Sequence, residues 1–149
     1  MSYKNENMKM IELHENGLDI QFRIRENGVV ELADFSSQEV KKAVMEPKED
    51  ICYPAVEIHR SGTGSLNMHA YKNNINQSSV DFVYENHELK AQAGGKELEI
   101  VMISPEKLKA VYHMRLFDGV PAVQTWTEII NEGSEDQGLT YVSSFMYQG

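Results

Sequence analysis

A single cysteine, Cys52, stands in this 149-residue chain, which excludes an internal disulfide. A reducing cytoplasm is the expected compartment. The thiol itself reads as a small buried hydrophobe, because no base is evident near it. Long apolar runs are missing too. None approaches the roughly 20 residues a membrane helix needs, so no membrane association is expected. The polar stretch 1–10 lacks the apolar centre of a secretion signal. Basic side chains are outnumbered: 14 Lys and Arg stand against 23 Asp and Glu, for a formal charge of −9. Such a surface repels phosphate backbones, so nucleic acid is not an expected partner, whereas a neutral sugar is compatible with it.

Several chemical signatures are also absent. His14, His59, His69, His87 and His113 are scattered, with no HExxH and no Cys/His cluster, so spacing alone suggests no metal site and no cofactor. The loop Ser61-Gly62-Thr63-Gly64-Ser65 lacks the Gly-Lys-Ser/Thr ending and following helix of a phosphate cradle. No Ser or Cys stands in a GxSxG nucleophile context. No long helical stripe, fixed-period repeat or second domain is evident.

What is present is a period of two. Leu18, Ile20, Phe22 and Ile24 alternate with Asp19, Gln21, Arg23 and Arg25, which predicts a strand with one wet face. Asn27-Gly28 predicts a two-residue hairpin turn into a return strand over 29–35. A short strand is expected over 11–14, with Glu15-Asn16-Gly17 as the turn after it. The segment 36–50 reads as an exposed connection that contains either a short helix or an irregular strand. Alternation then predicts strands over 55–60 and 79–85, and Gly94-Gly95 predicts a hairpin tip before a strand over 96–103. Residues 108–117 and 122–130 flank Asp118-Gly119-Val120-Pro121, which must turn. With a third run over 139–145 they predict a three-stranded meander. Turn signals every 8–12 residues favour an all-β antiparallel sandwich, with a leader over 1–10 and one domain over 11–149.

Few side chains stand out chemically. Glu57 and His59 share one strand face and could couple as acid and base, although such a pair is more often a solvated ion pair. His113 reads simply as a sheet residue. Glycoside cleavage needs two carboxyl groups roughly 5–9.5 Å apart, and Glu57, Asp81 and Glu128 cannot be paired from sequence. Trp126, in Thr125-Trp126-Thr127, could stack on a sugar ring, but a lone strand Trp is more often core. Tyr71 lies in an Asn-rich loop and is a second aromatic candidate for sugar contact.

Certain segments resemble a known family. Tyr53-Pro54-Ala55-Val56-Glu57-Ile58, Leu108-Lys109-Ala110-Val111-Tyr112-His113-Met114-Arg115-Leu116, Gly119-Val120-Pro121-Ala122-Val123-Gln124-Thr125-Trp126, Asn131-Glu132-Gly133 and Val142-Ser143-Ser144 are similar to the N-terminal β-sandwich domain of bacterial α-galactosidases of glycoside hydrolase family 36. The resemblance implies a supersandwich of the mutarotase-like kind, here a partial one from a longer N-terminal domain. It implies that the catalytic aspartates belong to a (β/α)8 barrel of the same full-length protein, which binds the α-galactosides, so no catalytic residue is expected here. Missing strands would leave open sheet edges, which implies a homo-oligomer through those edges. Two other readings compete. One is a free-standing carbohydrate-binding sandwich that uses Trp126 and Tyr71. The other is a mutarotase-like enzyme that would need Glu57 to converge with His59 or His113.

Overall fold

The computed structural model describes residues 9–39, 52–63 and 77–147. Their architecture is all-β and antiparallel. The strands are β1 (Lys9–Glu15), β2 (Leu18–Ile24), β3 (Val30–Ser37), β4 (Ile58–Arg60), β5 (Val83–Gln92), β6 (Gly95–Ile103), β7 (Leu108–Phe117), β8 (Val120–Asn131) and β9 (Leu139–Val142). One helical turn, α1 (Gln77–Val80), precedes β5. The strands form a three-stranded sheet β1-β2-β3, a four-stranded sheet β5-β6-β7-β8 and a two-stranded sheet β4-β9.

The alternation read from sequence decides what lies between the layers. Ile20 and Phe22 of β2, Leu98 and Ile100 of β6, and Ala110, Tyr112 and Met114 of β7 are almost fully buried in one core. Each such large side chain contributes about 1.5–3 kcal/mol by leaving water. Phe22 meets Tyr112 edge-on with ring centres 5.7 Å apart, which ties the two larger sheets together at mid-core. Burial pushes the pKa of the Tyr112 hydroxyl well above its ordinary value, so this residue stays neutral inside the core. At one end of the layers the Gly119 N–H donates to Asn16 Oδ1 (2.9 Å), and at the other the Tyr84 N–H donates to the Gly28 carbonyl (2.8 Å).

The two Asn-Gly turns differ. Asn16 and Gly17 both have positive φ, 55° and 82°, and Glu15 pairs directly with Leu18, which is the tight hairpin. At Asn27-Gly28 only Gly28 is left-handed, and Arg25 exchanges a bond with Val29, so the loop is one residue longer than predicted. The reason is local: Asn27 Oδ1 accepts the Val29 N–H (3.1 Å), an Asx turn that keeps Asn27 out of the left-handed region.

Other expectations are corrected. β1 begins at Lys9, inside the expected leader. The run 79–85 is not one strand, because 77–80 forms α1. There the buried Ser79 Oγ takes the Ile58 N–H (2.9 Å) and Ser78 Oγ takes the Arg60 N–H (3.1 Å). The strand expected over 55–60 is regular only at Ile58–Arg60. The meander does not form either: β9 leaves β8 and pairs with β4, bringing Ile58 opposite Val142. Hydrogen bonds between Glu57 and Ser143 and from the Ser61 N–H to the Gly138 carbonyl hold it there. Cys52 is half-buried rather than core, with Asn27 Nδ2 3.5 Å from its sulfur. Most of the expected 36–50 connection lies outside the described residues.

Candidate functional site

The outer face of the four-stranded sheet carries a dense polar cluster. Strand alternation puts it there. In Lys96-Glu97-Leu98-Glu99-Ile100 the leucine and isoleucine go inward, so both glutamates go outward. In Tyr112-His113-Met114 the same rule turns the imidazole outward. The register then lines up Glu88, Glu99, His113 and Trp126 as successive cross-strand partners on β5, β6, β7 and β8. The neighbouring row is Lys90, Glu97, Arg115 and Gln124.

His113 is the centre of this face. Its Nδ1 lies 3.0 Å from Glu97 Oε1 and 3.8 Å from Glu99 Oε1. Its Nε2 lies 3.5 Å from Glu128 Oε2, too far for a hydrogen bond, and this buried nitrogen has no hydrogen-bond partner among the described residues. Trp126 stacks flat on the imidazole, with ring centres 4.6 Å apart and planes 5° from parallel. Under that indole His113 is only 6% exposed, and Glu97 is equally buried. The outer carboxylate oxygens are held separately. Gln92 Nε2 donates to Glu97 Oε2 (3.0 Å) and Lys90 Nζ to Glu99 Oε2 (2.5 Å). The hydrogen bond to Glu99 raises the Lys90 ammonium above its ordinary value, so it stays charged at neutral pH.

Glu57 and His59 do meet: His59 Nε2 lies 2.6 Å from Glu57 Oε1, and the His59 ring sits 5.2 Å from the Tyr141 ring at a 50° tilt. That pair lies at the β4-β9 sheet, whereas Trp126 and His113 belong to the four-stranded sheet. Of the two pairings open to the mutarotase-like reading, Glu57 with His59 is therefore made, whereas His113 faces Glu97, Glu99 and Glu128 instead of Glu57. Trp126 is half-buried on the outer face and is not part of the core cluster, contrary to the plainer expectation for a strand tryptophan. Tyr71 lies outside the described residues.

Glu97, Glu99 and the centrality of His113 escaped the sequence reading. A signal existed. Counting outward from Ser104 and Leu108, which close the loop Pro105-Glu106-Lys107, puts Glu99 opposite His113. A groove of about 500 Å³ lies between the turns at 105–107 and 132–137, bordered by Glu106, Lys107, Glu132 and Glu135.

Chemically, the sheet face combines an aromatic plate, three carboxylates that approach one imidazole, and a cation. Glu97, Glu99 and His113 offer three ligand atoms that all lie within 4.8 Å of one another. No helix among the described residues is long and apolar enough to cross a membrane. No family model matches the chain, and no curated protein sequence matches it.

Proposed function

We propose that the chain is a non-catalytic β-sandwich domain of a carbohydrate-processing protein, and specifically the N-terminal domain of an α-galactosidase of glycoside hydrolase family 36. Its partner in this reading is the catalytic (β/α)8 barrel of the same protein, which holds the α-galactoside. One observation carries the assignment. The segments that bear the family resemblance are far apart in sequence yet are bonded to one another. The Glu57 N–H donates to Ser143 Oγ (2.7 Å), the Ser143 N–H donates to the Glu57 carbonyl (2.8 Å), and Ile58 pairs with Val142. The Asn131-Glu132-Gly133 element is likewise a built turn: Asn131 Oδ1 accepts the Gly133 N–H (3.0 Å) and Asn131 Nδ2 donates to the Glu135 carbonyl (2.9 Å). The resemblance implies a framework role for these residues, and these bonds support that reading.

Assembly through sheet edges belongs to the same reading. Among the described residues β5 and β8 are the outer strands of their sheet, and β8 exposes Val120 and Ile130. Sequencing the reading frame past Gly149 tests the proposal. Barrel strands with an aspartate at a strand end are expected, and a stop codon directly after Gly149 would contradict it.

A second reading, a free-standing carbohydrate-binding sandwich, is favoured by the half-exposed Trp126 plate with Glu128 and Gln124 beside it. Calorimetry with galactosides separates the two. Binding by the chain alone that is lost in Trp126→Ala selects this second reading.

A further inference from the structure

We propose that Glu97, Glu99 and His113 form a binding site for a zinc-type divalent cation on the outer face of the four-stranded sheet. The inference is independent of the carbohydrate reading and rests on three observations.

The first is the donor set. An imidazole with two carboxylates is a ligand combination that zinc accepts. Tetrahedral coordination with bonds of 2.0–2.2 Å requires ligand atoms about 3.3–3.6 Å apart. The separations from His113 Nδ1, 3.0 Å to Glu97 Oε1 and 3.8 Å to Glu99 Oε1, bracket that range. Three protein ligands leave a fourth position for water. The two carboxylates balance the charge of the ion.

The second is the support around the donors. Only the inner oxygens converge on Nδ1. The outer oxygens are anchored by Gln92 and Lys90, so both carboxylates are oriented before any ion arrives. The third is the orphan nitrogen. Among the described residues, His113 Nε2 is buried without a hydrogen-bond partner, on a side chain that is more than nine-tenths buried, and a carboxylate oxygen of Glu128 lies 3.5 Å away. In a purely ion-paired network Nδ1 holds the proton for Glu97 and Nε2 is left unsatisfied, at a desolvation cost. An ion on Nδ1 reverses this. The proton then resides on Nε2 and points at Glu128, the carboxylate–imidazole–metal arrangement that raises ligand basicity.

Trp126 provides the readout, because it is the only tryptophan and it stacks on His113. Zinc chloride is titrated into the chelator-treated chain, with indole fluorescence and calorimetry followed together. One equivalent of Zn2+ is expected, with a fluorescence change that saturates at that point. Glu97→Gln, Glu99→Gln and His113→Gln are each expected to weaken binding at least tenfold. Glu128→Gln is expected to weaken it about tenfold through the orienting contact. Glu57→Gln with His59→Gln, on the other sheet, is expected to leave it unchanged. Circular dichroism checks each variant. If His113→Gln does not fold, Glu99→Gln decides, since its side chain is the most exposed of the three. Absence of saturable binding, tighter binding of Ca2+ than of Zn2+, or full affinity in Glu99→Gln would overturn the proposal.

Discussion

Gly133 has no room for a side chain. A Cβ there would sit 2.5 Å from the Glu106 carbonyl oxygen, a backbone atom that cannot swing aside. Gly133→Ala is therefore expected to cost about 1–3 kcal/mol by overpacking, read as a lower urea midpoint with unchanged slope. The need for Gly133 was legible as Asn-x-Gly, but the neighbour that enforces it was not. Trp126 shows the opposite limit. Its strand was legible, and its face was not, because one residue of register decides whether an indole enters the core or lies on the surface. Glu97 and Glu99 escaped notice for the same reason: their meaning depends on His113 across the strand gap.

At the scale of elements, local alternation predicted the hairpins well. β1 with β2, β6 with β7 and β7 with β8 are consecutive strands joined by turns whose residues announce them. The pairing of β4 with β9 was not legible, because the hydrogen bond that Ser143 Oγ accepts from the distant Glu57 N–H, and the turn after β8, select it over the nearer meander. Ser78 and Ser79 made α1 hard to see in the same way, since their hydroxyls serve the β4 backbone. The ties between elements have a pH signature. Arg60 links α1, β4 and the β6–β7 turn by pairing with Asp81 (2.9 Å) and Glu106 (2.6 Å). Burial raises the Glu106 carboxyl, but hydrogen bonds from its own backbone, Arg60 and Ser104 outweigh it and hold the group below its ordinary value of 4.5. A lowered carboxyl stabilises the fold above the unfolded value and loses that contribution as pH falls through the folded one. Denaturation midpoints are thus expected to drop below about pH 4.5, and the share of that drop due to this contact is expected to vanish in Glu106→Gln. An unchanged acid profile in the variant would assign the effect elsewhere.

For the whole molecule, period-two patterning was enough to read an all-β antiparallel class, since one face of each long strand must leave water. It could not reveal how three sheets share a core. The formal charge of −9 opposes self-association in general, so the assembly proposed above has to come from specific edges such as β8. Sedimentation in 0.15 M salt is expected to find a dimer or larger species. A monomer up to high concentration would remove the edge-pairing part of the proposal. The framework role assigned to the resembling segments has a sharper consequence for chemistry. In it, Glu57 and His59 are a structural hydrogen-bonded pair beside Tyr141 rather than an acid and a base. The direct check is release of nitrophenol from a nitrophenyl α-galactoside by the purified chain alone. No release above the buffer rate is expected, whereas turnover that disappears in Glu57→Gln or His59→Gln would contradict a non-catalytic domain.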